Sequence, residues 1–542
     1  MSLYGLQQAR KERAVAEQRS VELEKVAAFQ QSMLEGIDIQ AMGLGMSSGL
    51  REQLAQAQGG NLEALEQVLG HASTPDIARS LIDRNILAGA EQAITRDFAG
   101  EPALAADLRE SVAHVRNALG LYGEAADDFR RVGDFHAQAS GPTSRVALEA
   151  RLEQASALFN ALKTDEAAKV VSAALTQAKT LPANDRLRIG LELQQSQVIA
   201  AQGERPRALR LQRALQQRTN EALGEADELS IKTLEVLAIT EQLSGDVATG
   251  RAYIETVVPL RQAASGRDDP STLVSMGSLA VMRAVTGDFE GAIALQQSLV
   301  KLHTRRLGHE HPVTLSARGN LANMLIDSGR AADARIEAEA VLAACIRVLG
   351  ANHPQTLRSM LNLSSLYARV DEYDRALAIQ QQVINARTRL LGPRHPETVS
   401  IRINHAGTLR QADRAAEALD ELRELLPLAR KVLEKNHPQL QAALMIVASA
   451  SEDLGRMSAA ITAYREVLQM RLVQQGEDHG QTVEAAWQLS GALRAAGQAA
   501  ESSALRSRYV GPLLAADASS LKPDQARLAQ SIRELEQADD AS

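Results

Sequence analysis

The sequence predicts an all-α fold built from a repeated two-helix unit, and three observations support this prediction. The composition favours helices, because alanine, leucine, arginine, glutamate and glutamine are abundant and aromatic residues make up only 3% of the 542 residues. Histidines recur at a constant interval in the second half of the chain, and small residues recur at the same interval. A chain of this length is too long for one compact core, which favours an extended array of repeats.

Two kinds of residue mark a 42-residue period, which is the spacing from His311 to His353. One marker is a histidine, followed by proline in four of five cases, at His311, His353, His395, His437 and His479. Further steps of the same size towards the N-terminus reach Asp269, Asp227 and Asp185. The other marker is a small residue at Ala208, Gly250, Ala292, Ala334, Ala376, Ala418 and Ala460. Because both markers keep one phase, the sequence predicts a solenoid whose units bury their apolar faces against their neighbours.

Each repeat is predicted to contain two helices. Proline after histidine or aspartate suits the first position of a helix, where its missing N–H costs nothing. The first helix carries threonines in its first turn, at Thr314, Thr356, Thr398 and Thr482. Its apolar residues follow helical spacing, as in Leu357, Met360, Leu361, Leu363, Leu366 and Tyr367. A glycine turn ends the first helix, and the second helix carries the small residue, which allows the two helices to approach closely.

The pattern L-G-x-x-H-P-x-T…N-L…G-x-x-x-x-A resembles the 42-residue tetratricopeptide repeat of the kinesin light chain type. The resemblance is specific from about Asp227 to Gly497 and looser from Thr143 to Gly224. It implies a right-handed superhelical solenoid of tetratricopeptide-type helical hairpins with an N-terminal helical extension. It also implies a non-catalytic scaffold that binds a peptide or a partner protein in its concave groove.

The resemblance extends to a row of asparagines. In the kinesin light chain type, the second asparagine of an L-N-N-L-A motif faces the groove and bonds the backbone of an extended peptide. That position maps onto Asn320, Asn362 and Asn404, and Asn323 and Gln488 complete the predicted peptide-binding set. The first asparagine is replaced by Gly319, Leu361 and Ile403, and Ser278 and Ile446 interrupt the row. A carboxamide is both donor and acceptor, so the alternative is that these side chains join neighbouring repeats.

The N-terminal part resembles a second kind of protein. Residues 7–34 and 74–129 look like the region that follows the membrane helix in bacterial transmembrane serine/threonine kinases, where repeats also follow. This resemblance implies that the chain is the sensor or scaffold part of such a signalling protein, or a stand-alone relative of that part. The sequence contains no kinase-type glycine-rich loop, no H-R-D and no D-F-G, so we do not expect enzyme activity.

The predicted organisation has four parts. Residues 1–72 form an N-terminal helix and a flexible joint, with glycine-rich stretches at 41–49 and 57–60. Residues 73–140 form degenerate helical repeats, and residues 141–515 form the array with the 42-residue period. Residues 516–542 form a capping helix and an acidic tail. The N-terminal helix, with its basic residues at Arg10, Lys11, Arg13 and Arg19, is predicted to be solvated or to bind a partner. A juxtamembrane or dimerising coiled-coil helix is the alternative.

Composition argues against several classes of function. The net charge of −8 and the lack of a basic cluster disfavour nucleic acid as a partner. One cysteine, Cys345, forms neither an internal disulfide nor a cysteine-based zinc site. One histidine per repeat cannot converge on a metal, because packed helices lie about 10 Å apart and zinc ligands about 2 Å from the ion. We therefore expect no metal and no cofactor, and we expect His353 to be a turn residue.

Several questions stay open at this point. No apolar run is long enough for a membrane helix, and the N-terminus lacks a signal-peptide core. The chain as given is therefore expected to be soluble, in an undetermined compartment. A longer parent protein could be tethered to a membrane.

Two alternative functions stay open. A self-assembling spacer would show as a stable homo-oligomer. An enzyme within residues 1–140 would show a deep pocket with clustered, perturbed acids.

Overall fold

The computed structural model describes residues 38–56, 74–433, 437–517, 521 and 523–541, and the regular structure within them is helical. Before the regular repeats come α1 (Ile39–Gln56), α2 (Thr74–Ile82), α3 (Ala88–Asp97), α4 (Pro102–Ala118), α5 (Tyr122–Ser140), α6 (Arg145–Asn160) and α7 (Thr164–Gln177). A short π-helical segment, Asp83–Leu87, joins α2 to α3, and a 3₁₀ turn, Ala178–Thr180, follows α7. The basic N-terminal segment and the stretch 57–60 lie outside the described residues.

First helices, each 16 residues long, then recur with the predicted period. They are α8 (Arg186–Ala201), α10 (Glu228–Leu243), α12 (Pro270–Val285), α14 (Pro312–Asp327), α16 (Pro354–Arg369), α18 (Pro396–Gln411), α20 (Pro438–Asp453) and α22 (Gly480–Ala495). Second helices alternate with them: α9 (Arg205–Leu223), α11 (Val247–Ser265), α13 (Phe289–Leu307), α15 (Ala331–Leu349), α17 (Tyr373–Leu391), α19 (Ala415–Val432) and α21 (Met457–Gln475). The predicted all-α hairpin array with its 42-residue period is confirmed.

The array ends in shorter helices. They are α23 (Ala499–Leu505), a π-helical segment Arg506–Val510, α24 (Gly511–Ala515) and α25 (Pro523–Ala541). Ala529 and Ile532 of α25 pack with Val483, Val510 and Leu513, so the last helix covers apolar side chains of the final repeat. The described chain divides into two compact units. Unit 1 comprises Met1–Arg318 with Val348–Gly350, and unit 2 comprises Gly319–Arg347 with Ala351–Ser542.

The repeated histidines and aspartates cap the first helices at their N-termini. The carboxylates of Asp185, Asp227 and Asp269 each accept a hydrogen bond from the backbone N–H two residues later, at 2.9 Å. The imidazole Nδ1 atoms of His311, His353, His395, His437 and His479 accept the equivalent bond at 3.1–3.3 Å. Each bond satisfies one N–H that a helix start leaves unpaired. His353 therefore lies at the turn, as predicted, and acts there as the N-cap.

The turns between first and second helices require a left-handed residue. Glycines fill this position with positive φ at Gly203, Gly245, Gly287, Gly329, Gly455 and Gly497. Asp371 and Asp413 occupy the same phase with φ of 60° and 58°, and Leu162 occupies the equivalent turn, 41 residues before Gly203, with φ of 60°. Aspartate tolerates this conformation better than leucine does, so Leu162, which is 88% exposed, is the strained member of the series.

The phased small residues lie where the two helices of a hairpin touch. All six alanines of the series are fully buried. A Cβ atom built at Gly250 would lie only 2.7 Å from the backbone oxygen of Ala238, in the first helix of the same repeat. The predicted close approach is confirmed, and α10 and α11 come so close that even alanine does not fit without a shift.

The glycine-rich stretch 41–49 was predicted to be a flexible joint, and this prediction is wrong because the stretch lies inside α1. Ile39, Gly43 and Ser47 are buried at intervals of four residues, and α1 packs against α2. Such spacing places them on one face of a helix, where small residues allow a neighbouring helix to approach. Packing therefore outweighs the low helix propensity of the glycines, about 1 kcal/mol each.

Candidate functional site

The first helices share a face, which we call the first-helix face and define as positions 5, 9, 12 and 16 of each first helix. These positions fall on one side of a helix. In α14 they are Ser316, Asn320, Asn323 and Asp327. The predicted peptide-binding residues all lie on this face, with Asn320, Asn362, Asn404 and Gln488 at position 9 and Asn323 at position 12.

The four predicted peptide-binding asparagines of unit 2 have accessible side chains. Asn320 and Asn404 are exposed, and Asn323 and Asn362 are half-buried. None of the four carboxamides makes a side-chain hydrogen bond to the part of the chain that the structure describes. The half-buried Gln488 has an Oε1 atom that is buried and has no partner among the described residues. These groups retain their donors and acceptors for a ligand.

Neighbouring first helices approach closely along this face. A Cβ atom at Gly319 would lie 3.9 Å from Asn362 Nδ2, and one at Gly407 would lie 3.3 Å from Ile446 Cδ1. Two ion pairs join neighbouring first helices along this face: Arg369 pairs with Asp327, and Arg410 Nε lies 2.9 Å from Asp453 Oδ2. Both links use arginine and aspartate side chains.

The same face in unit 1 has a different chemistry. A polar pocket of about 610 Å³ lies across α6, α8 and α10, and its lining includes Glu153, Gly190, Gln194 and Lys232. Further along the face, α10 and α12 expose large apolar side chains, namely Ile239, Leu243, Val274, Val281 and Val285. Sequence reasoning missed these residues, because valine and isoleucine at helical spacing usually indicate core.

Unit 2 contains a pocket of about 740 Å³ on a different surface, between second helices. Leu426 and Arg430 of α19, Leu444 of α20 and Glu466 of α21 line it. Pro427 interrupts the hydrogen bonding of α19 at this point. Both carboxylate oxygens of Glu466 lie 2.7 Å from Arg430 Nη2, so these two charged groups of the lining are already paired.

A buried charged cluster occupies the least repetitive part of unit 1. Arg116, only 5% exposed, pairs with Asp128, and its Nε atom lies 2.9 Å from Asp83 Oδ1. Glu91 lies 3.4 Å from the same guanidinium and also pairs with Arg131. Burial raises the pKa of Asp128 against the lowering effect of Arg116. Clustered acids, which an enzyme in residues 1–140 was expected to show, are therefore present. Each of these three carboxylates forms an ion pair with an arginine, which favours a structural role for the cluster.

The histidines do not converge on a common point. Each phased histidine lies at the start of a different helix, and Nε2 of His311 lies 3.0 Å from a carboxylate oxygen of Asp38. Within the described ranges, no three or more histidine, cysteine, aspartate or glutamate side chains lie close enough to hold a metal ion. A search of the described helices also finds none with the length and apolarity that crossing a bilayer requires.

Comparison with known proteins identifies the repeats. Two family models described as tetratricopeptide repeat match the chain, one at residues 272–313 and the other at residues 313–389 and 362–431. These residues are tetratricopeptide repeats, and the predicted solenoid of tetratricopeptide-type hairpins is confirmed. No curated protein matches the chain.

Several solved structures align with parts of the chain. A Podosopora anserina protein described as a kinesin light chain with nearly identical repeats is 24% identical, with 38% of this chain and 97% of that chain covered and a TM-score of 0.34. BtubC from P. vanneervenii is 16% identical, with 42% and 92% covered and a TM-score of 0.36. A Rap protein complexed with Competence and Sporulation Factor is 9% identical, with 71% and 98% covered and a TM-score of 0.43.

Proposed function

We propose that this chain is a non-catalytic interaction scaffold that binds an extended peptide or a partner protein along its first-helix face. Tetratricopeptide repeats generally bind proteins or peptides. The observation that carries the proposal is the row formed by Asn320, Asn362 and Asn404, whose carboxamides lie in successive repeats and bond to no described residue.

The chemistry of the row suits a peptide backbone. Each carboxamide can donate to a carbonyl and accept from an N–H. Neighbouring helices lie about 10 Å apart and an extended chain rises about 3.3 Å per residue, so the row would contact about every third residue of the ligand. Asn323 and Gln488 would add contacts at its two ends. Because every residue has a backbone, this row would hold ligands of varied sequence.

The test uses the intact chain and a phage-displayed library of random 16-residue peptides. Selected peptides are synthesised and titrated against the wild type and the variant Asn320→Ala/Asn362→Ala/Asn404→Ala. We expect affinity to fall at least tenfold for those that bind unit 2, because about 1 kcal/mol is lost per hydrogen bond. The matched control is Asn385→Ala, an exposed asparagine on a second helix. Equal affinities for the triple variant and the control would contradict the proposal.

The proposal includes a signalling role. Its support is the resemblance of residues 7–34 and 74–129 to the region behind the membrane helix of bacterial transmembrane serine/threonine kinases, and residues 7–34 lie outside the described residues. In that setting the array would be the ligand-sensing or scaffold part of the protein. The reading frame upstream of Met1 tests this: a membrane helix and a kinase domain are the expected result, and an unrelated gene is the contrary one.

A further inference from the structure

The polar pocket of unit 1 contains buried groups that lack partners. Gln194 is 7% exposed, and its Nε2 atom is buried without a hydrogen-bond partner in the described structure. Asn117 also lines the pocket, and its Oδ1 atom is buried without a partner. A buried, unsatisfied polar atom costs about 1–3 kcal/mol. One donor and one acceptor in the same pocket match the acceptor and donor of a peptide group.

The charges around the pocket favour a cation. Two arginines of its lining are already neutralised, because Arg145 pairs with Asp185 and Glu149, and Arg186 pairs with Asp227. Two other lining carboxylates, Glu153 and Glu228, form no ion pair with described residues, and neither does Lys232. The pocket lining therefore contains two carboxylates and one ammonium group that form no ion pair with described residues.

The apolar side chains beyond the pocket form a second element, which we call the apolar strip. It consists of Ile239 and Leu243 of α10 and Val274, Val281 and Val285 of α12, which are 38–66% exposed. Isolated apolar residues on a surface need no explanation, but contiguous ones mark interaction sites. Lys232 of the pocket and Ile239 of the strip lie on the same face of α10, so the strip continues the pocket.

We propose that the pocket and the apolar strip together bind an extended segment of a partner protein that carries one lysine or arginine followed by apolar residues. The cationic side chain lies within the pocket that Glu153 and Glu228 line, while the peptide group next to it bonds Gln194 and Asn117. First helices follow one another at about 10 Å, and an extended chain rises about 3.3 Å per residue. The apolar residues therefore lie about three and six positions from the cationic one.

This site goes beyond the asparagine row of the proposed function. It uses residues of unit 1, whereas Asn320, Asn362 and Asn404 belong to unit 2. The asparagine variants change no residue of the unit 1 site, and the variants of the unit 1 site change none of the asparagines. Each set of variants therefore tests one proposal, and a negative result for one site does not affect the other.

The experiment again selects from a phage-displayed library of random 16-residue peptides with the intact chain. Peptides that compete with one another are synthesised, and their affinities are measured by fluorescence anisotropy. We expect one enriched group with a basic residue and apolar residues about three and six positions away. We expect Val281→Asp to weaken this group at least tenfold without lowering the melting temperature. The matched control Val473→Asp changes a 77% exposed valine on a second helix and leaves binding unchanged.

A second variant separates binding from folding. Gln194→Met removes the unpartnered donor, so it is expected to keep or raise the melting temperature while weakening the same peptides several-fold. Three results would overturn the proposal. The selected peptides would show no enrichment of the basic and apolar pattern, or Val281→Asp and Val473→Asp would change peptide affinity equally. In the third result, the wild type would sediment as a dimer that Val281→Asp dissociates. The last result would show that a second copy of the chain covers the strip.

Discussion

The first helices of the two units begin with the same geometry and different chemistry. In unit 1, Asp185, Asp227 and Asp269 accept the capping hydrogen bond through a carboxylate, and only His311 uses an imidazole. In unit 2, His353, His395, His437 and His479 accept it through Nδ1. The comparison shows that this helix start requires one acceptor at the right distance, whatever group supplies it. The units therefore share a backbone geometry at the helix start and differ in the side chain that caps it.

Neighbouring groups keep the carboxylate caps of unit 1 ionised in mild acid. The hydrogen bond from Arg186 lowers the pKa of Asp227, and the hydroxyl of Ser271 lowers the pKa of Asp269. A lowered pKa gives stability that is present above the unfolded value of about 3.9 and is lost as the pH falls through the folded value. The carboxylate caps should therefore keep their full contribution to stability down to about pH 4.

Removing the imidazole caps should have the largest effect. The variant His353→Ala/His395→Ala/His437→Ala/His479→Ala is expected to lower the free energy of unfolding of unit 2 by about 4 kcal/mol, since each cap contributes about 1 kcal/mol. The single tryptophan, Trp487, lies in unit 2 and reports on it in a urea titration followed by fluorescence. A loss below about 1 kcal/mol would show that these bonds do not hold the helix starts.

Replacing the four histidines of unit 2 by aspartate should remove the chemical difference between the caps of the two units. At pH 7 the aspartate variant is expected to recover most of the stability, about 4 kcal/mol, that the alanine variant loses, because a carboxylate supplies the same capping acceptor. A urea titration followed by Trp487 fluorescence compares the two variants. Equal losses in both variants would show that the helix starts need more than one acceptor.

The small-residue position sharpens the comparison within the hairpins. Gly250→Ala in unit 1 is expected to destabilise its hairpin by about 2 kcal/mol, because the new Cβ would meet the backbone oxygen of Ala238. Hydrogen exchange at Val247–Ser265 measures the loss. Gly491→Ala is the matched control in unit 2, since nothing lies within 4 Å of a Cβ there. That control should stabilise α22 by up to about 1 kcal/mol, and equal signs for the two substitutions would contradict this account.

The left-handed turn should give the smallest effect. Leu162→Gly is expected to stabilise the first part of unit 1 by about 0.5 kcal/mol, because glycine adopts this conformation without the steric cost that leucine has. Asp371→Gly in unit 2 should give a smaller gain, since aspartate tolerates the conformation. Thermal unfolding followed by circular dichroism ranks the two. A destabilised Leu162→Gly would indicate that the exposed leucine makes a contact that outweighs its strain.

The sequence alone predicted the repeat and much of its detail. The phase of His353 located the start of α16, and the phase of Ala376 located the contact between helices, because both depend on local backbone needs that recur in every repeat. It did not predict the helix at 41–49, since packing against α2 decides that segment. It also missed Val274 and Val281, because amphipathic spacing alone does not show whether a neighbouring helix covers an apolar face. The resemblance to the kinesin light chain type placed Asn320 on the ligand-facing side of its helix, and its ligand stays a prediction.

A crystal structure of the intact chain with a peptide selected from the random library would show whether partners bind along the first-helix face, as we propose. We expect the peptide to be extended along the first helices, with backbone atoms within hydrogen-bond distance of the carboxamides of Asn320, Asn362 and Asn404. A peptide seated on the second helices, with those three side chains untouched, would contradict the proposal.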